Sequence, residues 1–120
     1  MCLVAESTTG VLISTECTAQ AGETPEDVGK KAAKQLLYEI SKGGCTDVFN
    51  QSTHLLLMAL GPEDVSKIRF GKLTEPSIQY LRDIKTYFGL TFKLATDPAN
   101  QTVLLTCLGV GYVNVNKSIT

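Results

Sequence analysis

The chain has 120 residues, 43% hydrophobic and 19% charged, the size and composition of one ordinary globular domain. Its longest apolar run, Leu55 to Leu60, is far short of the roughly 20 residues that span a bilayer, so no membrane partner is expected. The net charge of −1 hides an acidic part, −5 over residues 1–64, and a basic part, +4 over residues 65–95. A basic segment on a nearly neutral chain can touch phosphate, and its ordinary reading is a solvated surface.

The opening stretch LVAESTTGVLISTECTA reads as two strands, or one long bent one, interrupted at Thr9-Gly10. Met1-Cys2-Leu3-Val4-Ala5 lacks the basic start of a secretory leader, and an apolar strand with no lead-in is expected of a fragment of a longer protein. A first helix follows. Thr24 is its N-cap, Pro25 suits its first position, and Glu26 and Asp27 complement the helix dipole. Val28, Ala32, Leu36 and Ile40, with Ala33 and Leu37, form an apolar stripe, and Lys30, Lys31, Lys34 and Lys42 fall on the other side as a solubilising face. Gly43-Gly44 ends it. A second helix, capped by Thr46 or Asp47, carries the apolar run to Leu60 and is expected to be buried on most sides, with Gly61-Pro62 as its stop.

VSKIRF then reads as a strand with Val65, Ile68 and Phe70 as its apolar members. A third helix runs from about Pro76 to Phe88, capped by Thr74 or Glu75 and closed by Gly89. LTFKLA alternates as a strand with Leu90, Phe92 and Leu94 on its buried face. The last strand, VLLTCLGVGYV, has Gly109 and Gly111 positioned for a bulge or a close approach. The order β-β-α-α-β-α-β-β implies an α/β (α+β) fold, a roughly four-stranded sheet with helices on one face. The cysteines Cys2, Cys17, Cys45 and Cys107 lack C-x-x-C spacing, so buried free thiols are expected and no metal site.

Several long segments carry a resemblance: LVAESTTGVLIS, the EDVGKKAAKQLLYEISKGG helix, GGCTDVFNQSTHLLLMALGPEDVSK and FGKLTEPSIQYLRDIKTYFGLTFK. Together they resemble the last third of the RNA 3'-terminal phosphate cyclase superfamily, and within it the eukaryotic cyclase-like branch. The resemblance implies that residues 1–120 are the final module of a protein about three times as long, beginning just after a small inserted domain. Active members of the superfamily move AMP from ATP to a catalytic histidine and then to an RNA 3'-phosphate. Such chemistry needs an imidazole at a helix start. The aligned segment here is Leu73-Thr74-Glu75-Pro76-Ser77, with no histidine, and the family's Asp-Gln pair falls on Ser52-Thr53. Ser52, Thr53, Glu75 and Pro76 thus read as a degenerate former active site. The one histidine, His54, matches a family leucine and reads as a partly buried structural residue.

The resemblance therefore implies loss of the cyclase reaction, no cofactor, and a role in early pre-rRNA processing within the small-subunit processome of the nucleolus. The partners it implies are a nucleolar GTPase, pre-rRNA and small nucleolar RNP. From the residues, Lys67, Arg69, Lys72, Gln79, Arg82 and Lys85 are the RNA-contact candidates. An endonuclease is the alternative, with Asp83 as base and Arg82 or Lys85 on the phosphate. Helical spacing puts Gln79, Arg82, Asp83 and Thr86 on one face of the third helix and Lys85 on its border.

Overall fold

The computed structural model describes residues 1–116. Strands β1 (Cys2–Glu6) and β2 (Leu12–Glu16) form an antiparallel pair, with helix α1 (Pro25–Ser41) packed on it. Helix α2 (Gln51–Leu60), strand β3 (Val65–Phe70), helix α3 (Glu75–Phe88) and strands β4 (Lys93–Asp97) and β5 (Thr102–Leu108) make the rest. The second sheet is antiparallel in the order β3-β5-β4. The element order is the expected one and the class is α+β. The sheet is not: five strands divide into a pair and a triplet, where a single roughly four-stranded sheet is expected from the sequence.

Each sheet has its own core. Cys17, Val28 and Ala32, with Leu3 against them, hold α1 to the strand pair. Leu55, Ala59, Phe70, Ile84, Leu90, Phe92, Leu105 and Cys107 form a larger cluster between the three-stranded sheet and α2 and α3. With two cores side by side the radius of gyration is 17.4 Å, against about 14 Å for a single compact body of this length.

Gly43-Gly44 lies where the two parts meet and does more than end α1. Gly44 has φ +88, and a Cβ there would come 2.4 Å from the Gly71 nitrogen; one on Gly71 would meet the Lys42 carbonyl oxygen at 2.7 Å. Two further contacts join the parts. Asp47 Oδ2 accepts from the Ser14 backbone N–H and hydroxyl (3.4 and 3.3 Å), and Glu39 Oε2 accepts from the Val48 N–H at 3.0 Å. Asp47 therefore caps no helix. Its Oδ1 takes the Asn50 N–H at 3.0 Å in a turn, and α2 starts beyond it with Asn50 as its N-cap.

Three burial expectations, on α1, α2 and β4, need correction. On α1 the buried side is Val28, Ala32 and Glu39, while Leu37 and Ile40 are exposed, because a two-stranded sheet is too narrow to cover the whole stripe. Leu57 lies outside the packed face of α2, which is Gln51, Leu55 and Ala59. Val65 is exposed because Ser66, Ile68 and Phe70 are the inward residues of β3. Strand β4 begins only at Lys93: Leu90 and Phe92 are buried in its lead-in, and Leu94 is exposed at the sheet edge. The lysine face is likewise divided, since Lys31 pairs with Glu23 and Lys42 lies between Glu39 and the Tyr38 ring. Among the thiols, Cys17 and Cys107 are buried, Cys45 is half-buried and Cys2 is exposed. As expected, Gly109 is a close-approach site, with the Pro62 carbonyl oxygen 2.3 Å from where its Cβ would be. No helix among the described residues is long and apolar enough to cross a membrane.

Candidate functional site

The starts of α2 and α3 converge. Thr74, in extended conformation, caps α3: its Oγ1 accepts from the Ser77 N–H at 3.3 Å and pairs with the Ser77 hydroxyl at 2.9 Å. Gln51, 1% exposed, reaches across from the first turn of α2. Its Nε2 donates to the Lys72 carbonyl at 3.1 Å, and its Oε1 accepts from the Ser77 hydroxyl at 2.8 Å and the Thr74 N–H at 3.4 Å. This amide-hydroxyl knot lies at the segment where the resemblance places a nucleophile. Ser77 is 2% exposed and its hydroxyl faces an amide oxygen, which is not a base that could activate it.

Sequence reasoning chose Ser52 and Thr53 for this position and missed Gln51. Ser52 is half-buried, Thr53, Glu75 and Pro76 are exposed, and no side-chain hydrogen bond joins them to one another. The signal was available in the spacing, since Gln51, Leu55 and Ala59 recur every fourth residue on one helix face. His54 is half-buried, as expected of a structural histidine. Its Nδ1 lies 2.8 Å from the Asn50 carbonyl and 3.3 Å from the Thr46 hydroxyl, so it ties the first turn of α2 to the preceding loop.

On α3 the expected polar face exists and is internally bonded. Gln79 Nε2 donates to Asp83 Oδ1 at 3.0 Å, Arg82 donates to Gln79 Oε1 at 3.4 Å, and the Thr86 hydroxyl donates to the Arg82 carbonyl. Lys85 lies off this chain of bonds. With Arg82 it lines an open, mostly apolar groove of about 400 Å³ between α3 and the β4 edge, formed by Leu73, Ile78, Leu81 and Phe92 among others.

Lys67 and Arg69 are elsewhere. They point away from the helices, on the face of β3 opposite Ile68 and Phe70. Arg69 is held by Asp97 Oδ2 at 3.3 Å and the Thr102 hydroxyl at 3.0 Å. The side-chain amide of Asn100, together with the N–H groups of Asn100 and Ala99 and the charge of Arg69, holds the Asp97 carboxyl below the usual range against a smaller opposing effect of desolvation. Lys72 is exposed in the loop between β3 and α3. The six RNA-contact candidates therefore occupy two faces of the molecule and the loop between them.

Residues 1–41 match the RNA 3'-terminal phosphate cyclase (RTC), insert domain. Over 97% of its length the chain is 47% identical to a probable RNA 3'-terminal phosphate cyclase-like protein of Dictyostelium discoideum, covering 35% of that protein. It is 42% identical to the human RNA 3'-terminal phosphate cyclase-like protein, over 98% of this chain and 34% of the relative. The chain belongs to the RNA 3'-terminal phosphate cyclase-like family. A further member, the rRNA processing protein rcl1 of Schizosaccharomyces pombe, is 43% identical over 98% of this chain and 32% of its own length. The chain thus spans about a third of the length of the curated relatives it matches.

The insert match corrects one expectation. The chain does not begin after the inserted domain, because β1, β2 and α1 are the residues that match it. The match ends at Ser41, next to the glycine pair that separates the two cores.

Proposed function

We propose that the protein is a ribosome-biogenesis factor that acts in early pre-rRNA processing within the small-subunit processome of the nucleolus. In this reading it holds a nucleolar GTPase, pre-rRNA and small nucleolar RNP in place, and it carries no cyclase chemistry. The observation that supports it is the Gln51–Ser77–Thr74 knot at the start of α3. A buried amide, hydrogen-bonded through both its oxygen and its nitrogen, fills the position that an adenylated histidine would need, so the family fold is kept while a nucleophile is lacking there. The rRNA processing named for the Schizosaccharomyces pombe relative fits a scaffold of this kind.

The test is recovery of the tagged protein from nucleolar extract together with incubation of the purified protein with labelled ATP. Small-subunit pre-rRNA and a GTPase should co-purify, and no AMP adduct should form. An adduct on this chain would overturn the loss of cyclase chemistry. Cleavage of a pre-rRNA segment by the purified protein, abolished in Asp83→Ala, would replace the scaffold with a nuclease.

A further inference from the structure

The three-stranded sheet is covered by helices on one face only. On its other face Lys67 of β3 and Lys93 of β4 both pair in register with Thr106 of the central strand β5. Residues opposite one another in a sheet project from the same face, so these three side chains form one row across it. Strand spacing places the two lysine Cα atoms about 10 Å apart, with Thr106 midway. Among the described residues neither lysine makes an ion pair, and the Thr106 hydroxyl makes no hydrogen bond.

The surroundings leave that charge uncompensated. The one acid on this face of the three strands is Asp97, already bonded to Arg69 and two rows from Lys93. Glu63 and Asp64 precede β3, and the Asp64 carboxylate accepts from the Val65 N–H. On one side Val65 and Leu108 form an exposed apolar pair; on the other, Leu104 and Ala95 share their row with Arg69, whose charge is taken by Asp97. No described element covers them.

We propose that the Lys67–Thr106–Lys93 row is a seat for the phosphodiester backbone of single-stranded RNA, a deepening that rests on the pre-rRNA contact proposed above. One phosphate sits over Thr106, accepting from its hydroxyl and from an ammonium on either side, while Leu104 and Leu108 offer apolar surface to the adjoining nucleotides. An open, flat, cationic face suits an extended polyanion that needs charge along a track. An acidic protein segment would need pockets for its side chains, whereas the apolar groove is beside α3 on the other side of the sheet.

The experiment is fluorescence anisotropy of the protein with a labelled single-stranded RNA of mixed sequence between 50 and 200 mM salt. Each lost phosphate contact lowers the log–log salt slope by about 0.7 for single strands. Lys67→Gln with Lys93→Gln removes both ammonium partners of that one phosphate and should therefore lower the slope by about 0.7 and weaken binding severalfold at the lowest salt. Lys67→Arg with Lys93→Arg should retain both, and Lys30→Gln with Lys34→Gln, on the exposed face of α1, should leave the slope unchanged. Circular dichroism melts of the glutamine variant should match the wild type, since both lysines are exposed. An unchanged slope in Lys67→Gln/Lys93→Gln overturns the row and leaves RNA binding itself standing. A wild type with no affinity for the RNA overturns both. Loss of poly-glutamate binding by the same variant, with its RNA isotherm intact, would assign the row to an acidic protein partner and overturn it too.

Discussion

Gln51 satisfies three groups from the loop before α3 and its first turn, so its removal is felt twice. Gln51→Leu keeps the volume near that of the amide but leaves the Thr74 N–H and the Lys72 carbonyl without a partner. Each unsatisfied buried group costs about 1–3 kcal/mol, and a loss of about 2–4 kcal/mol in urea unfolding is expected. Ser52→Ala, on a half-buried position without such bonds, should change stability by less than about 0.5 kcal/mol. Equal losses in the two variants would remove the knot as the link between α2 and α3. Cys107 gives a pH signature at the same scale. Burial pushes its thiol above the ordinary range, so the folded state favours the protonated form. The stability contributed is fully present below the unfolded thiol's pKa and is lost as pH rises through that value toward the higher folded one. Unfolding free energy should fall above about pH 9, and Cys107→Ala should flatten that fall while lowering stability at neutral pH by about 1 kcal/mol. An alkaline limb identical in the two proteins would sink the assignment.

Among elements, two glycines with similar φ have different consequences. Gly89 closes α3 at φ +65 with nothing within 4 Å of a Cβ, whereas Gly44 at φ +88 would drive one into Gly71. Gly89→Ala should cost about 1 kcal/mol. Gly44→Ala should cost at least twice that, because the close approach of the α1–α2 link to Phe70 and Gly71 must open as well, and thermal melts of the two variants compare them directly. The sequence already announced both helix ends, and it announced the element order, since caps and periodicity act over a few residues. The face of Val65 was legible too: period two separates it from Ile68 and Phe70. What local pattern does not carry is which strands pair. The alternation of Leu12–Glu16 is the same whether β2 joins one large sheet or a pair of its own, so the division into two sheets was not legible. For the same reason Leu37, Ile40 and Leu94 read as core: an apolar stripe or alternation does not say how much of it a partner covers. The candidate site was legible as an absence, no histidine from Leu73 to Ser77. Gln51 was not legible from the resemblance because the family's Asp-Gln pair falls one residue later, on Ser52-Thr53.

At the level of the whole molecule, the unequal cores decide how the chain comes apart. The hydrophobic cluster that holds the strand pair to α1 has three buried residues and Leu3, and the Asp47 and Glu39 hydrogen bonds tie this part to the rest. The α2–α3 sheet has eight buried residues. At about 25 cal/mol per Å² of apolar surface, the larger cluster carries most of the hydrophobic stabilisation. A two-stranded sheet is marginal without further support. The smaller part should therefore open first and separately. Native-state hydrogen exchange should show Leu12–Glu16 and Pro25–Ser41 exchanging well before Val65–Phe70 and Thr102–Leu108. Asp47→Asn weakens the tie at Ser14 by replacing a charged acceptor with a neutral one, and it should speed exchange in the first set while leaving the central strand β5 nearly unchanged. Uniform protection across both sets, or equal acceleration of both by Asp47→Asn, would mean that the glycine crossing couples the two cores into one cooperative unit. In that case the boundary beside Ser41 marks a change of domain match but not of folding unit.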